Sequence, residues 1–214
     1  MRLHLLTGIL FLALIAMTFN DGIKGTVVCF GDSITHGAKV DGHSWVYFLS
    51  KEHKDINFIN EGRNGRKTSD KKEILPVLKK YPDADYFLIF LGVNDLKNGN
   101  DSMVNSCVEN MEWMINKIRQ TNKKTQIVIL APVDISLKTM DTTNVRKQYN
   151  ENTGSSLVKL EKRYKELAKE DSLGFISLLK TVSQLNYVDG VHPDVKGQQQ
   201  IADAVWKGLN RLYH

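Results

Sequence analysis

Five short runs of nearly unbroken apolar residues, separated by longer segments of helical period, limit what this 214-residue chain can fold into. The runs occupy positions 26–30 (TVVCF), 56–59 (INFI), 86–91 (YFLIFL), 126–131 (QIVILA) and 174–178 (GFISL). A strand with one wet face alternates apolar and polar residues. These runs barely alternate, as expected of parallel strands covered on both faces. Between them, Val104, Cys107, Val108, Met111, Met114, Ile115 and Ile118 recur at three- and four-residue steps after Asp101, read here as a helix N-cap. Leu157, Leu160, Tyr164 and Leu167 repeat the pattern, and Ile201, Val205, Leu209 and Leu212 give a C-terminal helix. Strands alternating with helices predict an α/β fold, a three-layer α/β/α sandwich with right-handed crossovers. No repeat, linker or low-complexity stretch divides it, so one domain is expected.

Composition narrows the function classes. With 42% hydrophobic residues the chain can build a core, which excludes a disordered or collagen-like polymer. Two cysteines cannot staple a scaffold, and no Cys/His cluster has zinc spacing, so no metal is expected. Cys29 in a strand and Cys107 on a helix face are read as buried thiols rather than a disulfide pair. The net charge of +5 comes from lysines scattered among acids, which gives no nucleic-acid footprint. The Lys-rich stretch 67–80 reads as the wet face of a helix.

The first residues read differently from the rest. A basic start, Met1-Arg2, leads into an apolar stretch from Leu5 to Met17 and then polar Asn20-Asp21. That stretch falls short of the roughly 20 residues needed to cross a bilayer. It has the build of a secretory signal peptide, placed at residues 1–18, with the folded domain at 19–214. The expected location is secreted or periplasmic, with no stable membrane span.

Every informative polar cluster lies close behind a predicted strand: 31–37 (GDSITHG), 60–66 (NEGRNGR), 92–95 (GVND) and, after a looser segment, 189–193 (DGVHP). Open α/β sheets bind ligands on that side. A serine at a strand-to-helix turn can present its hydroxyl at a helix N-terminus, but the hydroxyl is a poor nucleophile until a base takes its proton. His192 can be that base, and Asp189 can accept from its other ring nitrogen and hold the tautomer. Acyl transfer also needs donors aimed at a developing oxyanion. The backbone N–H groups of Ser33 and Gly65 and the side-chain amide of Asn94 can supply three. In the flavodoxin-like strand order 2-1-3-4-5, the loops carrying Gly65 and Asn94 flank Ser33. Strand five then lies about 14 Å from strand one at about 4.8 Å per strand, a gap that residues 178–193 are long enough to cross.

These four blocks, in this order, resemble the SGNH or GDSL-type esterase superfamily: GDSIT at 31–35, N-x-x-x-x-G at 60–65, GVND at 92–95 and DGVHP at 189–193. The resemblance implies a flavodoxin-like five-stranded parallel sheet in order 2-1-3-4-5, ester hydrolysis through an acyl-enzyme, and neither cofactor nor metal. It implies Ser33, Asp189 and His192 as catalytic residues and Ser33, Gly65 and Asn94 as the oxyanion hole. The favoured substrates are short-chain or O-acetyl esters on carbohydrates. The close alternatives are a lysophospholipase or thioesterase, and an acyltransferase using the same residues. Choosing Gly65 over Gly62 rests on its spacing from Asn60. The G-x-S-x-G elbow of the α/β-hydrolases is absent.

Blander readings exist for each part. Ser33 can cap a helix, Asn94 and Asp95 can cap the helix that follows, and Asp189-Gly190 can be an ordinary turn. None of them explains why all four blocks fall at one sheet edge. A flavin-binding module would share the sheet, but Asp32 puts an acid where a phosphate would sit. Asp32 is read as shaping the nucleophile turn, and His36 as a surface or pocket residue. Trp45, Tyr47 and Phe48 are read as core packing. The irregular stretch 132–143 is either a substrate-side loop or a plain solvated connection.

Overall fold

The computed structural model describes residues 22–213, so the segment read as a signal peptide lies outside it. Five strands form one parallel sheet: β1 (Gly25–Gly31), β2 (Ile56–Gly62), β3 (Tyr86–Phe90), β4 (Gln126–Ala131) and β5 (Gly174–Ser177). Their spatial order is β2-β1-β3-β4-β5, the flavodoxin-like order that the family resemblance implies. Val27 to Phe30 and Phe87 to Ile89 are fully enclosed, which is why those runs carry no polar alternation.

Among the described residues seven α-helices accompany the sheet: α1 (Ser33–His36), α2 (Trp45–Glu52), α3 (Ile74–Lys80), α4 (Asp101–Thr121), α5 (Thr142–Arg146), α6 (Glu151–Glu170) and α7 (Val195–Tyr213). α2 packs on α7, while α3, α4 and α6 are successive neighbours, giving the two helical layers. α4 buries the whole predicted stripe from Val104 to Ile118. Its N-cap is Asn100, whose side chain accepts from the Met103 N–H, so Asp101 is the first helical residue rather than the cap. Asp101 there faces the positive end of the helix dipole.

Several local expectations are corrected. β2 runs to Gly62, so Asn60 and Glu61 belong to the strand instead of following it. β2 is an edge strand with polar residues on its open side, and a search for apolar runs clips it. On α2, Trp45 is fully buried and Phe48 half-buried, but Tyr47 turns outward to solvent, since only the Trp45–Val46–Leu49 side faces the sheet. The stretch 67–80 is a 3₁₀ turn (Thr68–Glu73) followed by α3, with Lys67, Lys72, Lys79 and Lys80 exposed. Residues 132–143 are no plain solvated connection: Val133, Ile135 and Ser136 are buried. Cys29 and Cys107 are free, buried thiols.

Candidate active site

β1 ends at Gly31, and Asp32 turns the chain into α1 by accepting the Ile34 N–H on Oδ1 at 2.9 Å. This cap puts Ser33 in the first helical position, where the hydroxyl stands at the carboxyl edge of the sheet. Asn60, from the adjacent strand, donates to the Thr35 carbonyl at 2.7 Å and so ties α1 to β2. A β-carbon on Gly62 would lie 2.2 Å from the His36 nitrogen, so that glycine is required for α1 to lie on β2. Gly65 differs: it sits at φ +74° in the turn closed by the Arg66 N–H on the Arg63 carbonyl, with open space where a side chain would be. His36 is exposed at the end of α1.

The other half of the site arrives from beyond β5. Tyr187 and Pro193 pair as an antiparallel bridge, and the Val188 N–H bonds to the His192 carbonyl at 2.9 Å. That tight turn brings His192 back across the sheet, with Nε2 3.0 Å from Ser33 Oγ. On its other side, His192 Nδ1–H donates to Asp189 Oδ2 at 2.8 Å. Asp189 Oδ1 also accepts the backbone N–H groups of Val191 (3.1 Å) and His192 (2.9 Å). Burial alone would raise the Asp189 carboxyl. The bonds from the His192 side chain and backbone, together with the imidazole charge, override it and hold the group far below the usual carboxylate range. An ionised Asp189 can only accept, so the proton sits on Nδ1 and Nε2 is left bare to take the Ser33 proton.

Asn94, just past β3, is buried close by. Its Nδ2 donates to the Arg66 carbonyl at 3.2 Å and to Asp32 Oδ2 at 3.3 Å. The amide therefore lies between the turn that carries Ser33 and the turn that holds Gly65. Ser33, Gly65, Asn94, Asp189 and His192, drawn from four segments, converge on one edge of the sheet. Such a cluster can move a proton from hydroxyl to imidazole and present N–H donors to an oxygen bearing negative charge.

Residues 29–200, which include all four blocks, match the model of the GDSL-like lipase/acylhydrolase family. The chain belongs to that family. It is a carboxylic ester hydrolase. No curated protein matches it in sequence. Among solved structures it is similar to a carbohydrate acetylesterase family member from Sinorhizobium meliloti, at 22% identity and TM-score 0.74 over 89% of this chain and 99% of that one. It also resembles an acetylxylan esterase from Geobacillus stearothermophilus, solved as a catalytic mutant, at 16% identity and TM-score 0.68 over 88% of this chain and 95% of that one. A possible lipase from Chitinophaga pinensis aligns at 18% identity and TM-score 0.69 over 87% of this chain and 98% of that one.

Several residues around this site, some of them at the ends of the sequence blocks, carry contacts that the sequence does not signal. Arg66 is buried, with its guanidinium 4.0 Å from the Phe30 ring, and Nη1 donates to the carbonyls of Gly31 and Glu61, each at 2.5 Å. It thereby closes the ends of β1 and β2 beneath the Gly65 turn. Asn144 Nδ2 donates to the Asp189 carbonyl at 3.0 Å, and the Tyr149 hydroxyl to Asn94 Oδ1 at 2.9 Å. Asp95 does not cap a following helix. It accepts the Thr68 N–H and hydroxyl, the latter at 2.6 Å, and pins the loop after β3 to the 3₁₀ turn. Among the described residues, no three His, Cys, Asp or Glu side chains are grouped to hold a metal, and no helix is long and apolar enough to cross a membrane.

Proposed function

We propose that this acylhydrolase is an exported serine esterase that works through an acyl-enzyme on short-chain or O-acetyl esters of carbohydrates. One observation carries the mechanism: Ser33 Oγ lies 3.0 Å from an imidazole nitrogen whose partner nitrogen is engaged by a carboxylate. Ser33 attacks the ester carbonyl while His192 Nε2 takes its proton, and Asp189 stabilises the imidazolium without accepting that proton. The carbonyl oxygen, now anionic, is held by the Ser33 and Gly65 N–H groups and by Asn94 Nδ2. His192 then protonates the departing alcohol, leaving Ser33 acylated. Water, deprotonated by His192, repeats the addition and releases the acid.

Two observations support the carbohydrate ester. Solved structures of the same fold include a carbohydrate acetylesterase family member and an acetylxylan esterase. Beside the site, where Tyr149 meets Asn94, an open groove of about 470 Å³ is lined by Leu137, Met140, Val145 and Tyr149 together with the polar Asn150, Glu151 and Asn152. A sugar ring, with apolar C–H faces and a hydroxyl rim, suits such a groove. The exposed Leu137 and Val145 favour a second reading, a lipolytic enzyme seating an acyl chain there. Export is supported by the basic and apolar first 18 residues.

Ser33→Ala should abolish hydrolysis of p-nitrophenyl acetate while leaving the circular dichroism spectrum unchanged. Turnover at the wild-type rate in that variant removes the mechanism. On acetyl-xylan and nitrophenyl esters of rising chain length, kcat/KM should be highest for acetyl and fall beyond butyryl. A maximum at octanoyl or longer establishes the lipolytic reading, and transfer of acetyl to an added sugar in preference to water establishes an acyltransferase.

A further inference from the structure

We propose that Tyr149 is the positioning residue of Asn94, its hydroxyl fixing which way the amide faces and holding Nδ2 ready for the oxyanion. The proposal rests on the reading of Asn94 as an oxyanion donor.

The hydrogen-bond inventory fixes the amide's orientation. On one side Asn94 faces the Arg66 carbonyl at 3.2 Å, a group that can only accept, so the nitrogen must lie there. Oδ1 then points the other way, where the Tyr149 hydroxyl donates at 2.9 Å. Turning the amide over would set Oδ1 against the Arg66 oxygen and two N–H donors against the phenol. Both side chains are buried, with Tyr149 4% and Asn94 8% exposed, so solvent is poorly placed to substitute for a lost partner. Burial, and then the negative charges of Asp32, Asp189 and Asp95, keep the phenol protonated well above the ordinary tyrosine range, so it remains a donor throughout the working pH.

The lengths of these bonds assign the roles. The Tyr149 contact is of ordinary length and fixes the acceptor end. The two Nδ2 contacts, 3.2 and 3.3 Å, lie at the long limit, so an amide hydrogen held that loosely can be given up to a developing oxyanion. A donor on Oδ1 also polarises the amide and strengthens what Nδ2 donates. Tyr149 occupies this place because its own N–H bonds to the Asn144 carbonyl at 3.1 Å, and Asn144 in turn holds the Asp189 carbonyl. One short stretch after β4 thus steadies both Asn94 and the turn that carries His192.

The test compares wild type, Tyr149→Phe, Asn94→Ala and the double variant on p-nitrophenyl acetate, each assayed below its own unfolding transition followed by circular dichroism. Tyr149→Phe keeps the ring and removes one oxygen. It should lower kcat about tenfold with KM within twofold, since ground-state binding is untouched. Asn94→Ala should cost about 10²–10³ in kcat. Adding Tyr149→Phe to Asn94→Ala should change kcat by less than twofold, because the residue to be positioned is already gone. Tyr149→Phe retaining more than half of kcat, or losing the same factor with and without Asn94, overturns the proposal. The underlying reading fails separately, by a loss under threefold in Asn94→Ala. A severe loss there beside a harmless Tyr149→Phe removes only the role of Tyr149.

Discussion

Gly190 and Met140 lie so close that a β-carbon on Gly190 would come within 2.5 Å of the Met140 α-carbon and 2.7 Å of the Ser136 carbonyl oxygen. The contact joins the chain after β4 to the turn carrying Asp189 and His192. Two backbone bonds reinforce it: Ser136 N–H to the Gly190 carbonyl at 2.8 Å, and Asp141 N–H to the Asp189 carbonyl at 3.2 Å. The stretch 132–143 is therefore the seat of the turn that carries Asp189 and His192.

Gly190→Ala meets two penalties, a φ of +84° that L-residues rarely adopt and a clash with backbone that cannot swing aside. Gly42→Ala is the matched control, with a φ of +80° and nothing within 4 Å of the added carbon. Gly42→Ala should cost about 1 kcal/mol and Gly190→Ala about 3 kcal/mol or more, which for a chain of this size separates their melting midpoints by roughly 4–8 °C. Only Gly190→Ala should also lower kcat, by moving His192 from Ser33. Equal melting midpoints for the two would show that the seat yields to the added carbon.

In its proposed role, the Asp189 carboxylate carries a pH signature as well as a kinetic one. Its folded-state ionisation lies below that of a free carboxyl, so its contribution to stability is fully present above about pH 4 and is lost as pH falls through the folded value. Asp189→Asn should therefore melt lower than wild type at pH 7, with the gap holding down to about pH 4 and narrowing below it toward pH 2. At neutral pH it should lower kcat by roughly 10⁴, because an amide can turn its own NH₂ toward Nδ1 and favour the wrong imidazole tautomer. A constant stability gap from pH 7 to pH 2 contradicts the assignment of the depressed carboxyl to Asp189.

The sheet was legible because its physics is local: strands enclosed on both faces must be apolar throughout, and the runs at 26–30 and 86–91 say so directly. The edge strand β2 was half legible, since its polar end at Asn60 and Glu61 has the composition of a loop. Ser33, Asp189 and His192 were legible as chemistry at strand ends, although Ser33 and His192 are 159 positions apart. Tyr149, Asn144 and Arg66 were not. Each is an ordinary polar or aromatic residue whose partner lies 55, 45 or 35 positions away, and nothing in local spacing signals such a meeting. The role of Asp95 was hidden for the same reason: a loop aspartate can pass for a cap of the next helix, while its partner Thr68 lies 27 positions back.

Asp32 makes the opposite pH prediction to Asp189. It is 2% exposed, and burial pushes its carboxyl up to about 7, with the Asp95 charge adding to the rise and the Ile34 N–H and the His192 and Arg66 charges opposing it. The native state then binds a proton that the unfolded chain has already lost between about pH 4 and pH 7. The resulting stability is full below about pH 4 and disappears as pH rises through the folded value. A displacement of about three units sets a ceiling near 4 kcal/mol on the loss. Melting midpoints of wild type and Asp32→Asn measured from pH 4 to pH 8.5 should diverge in slope: wild type falls relative to the variant as pH rises, because the asparagine has no proton to lose. The substitution also turns an acceptor facing Asn94 Nδ2 into a group that can present a donor, which adds an offset that is constant with pH and leaves the slope untouched. Parallel curves across that range would mean that Asp32 is already ionised at pH 4, with the Ile34 N–H and the nearby cationic groups outweighing the cost of burying the charge.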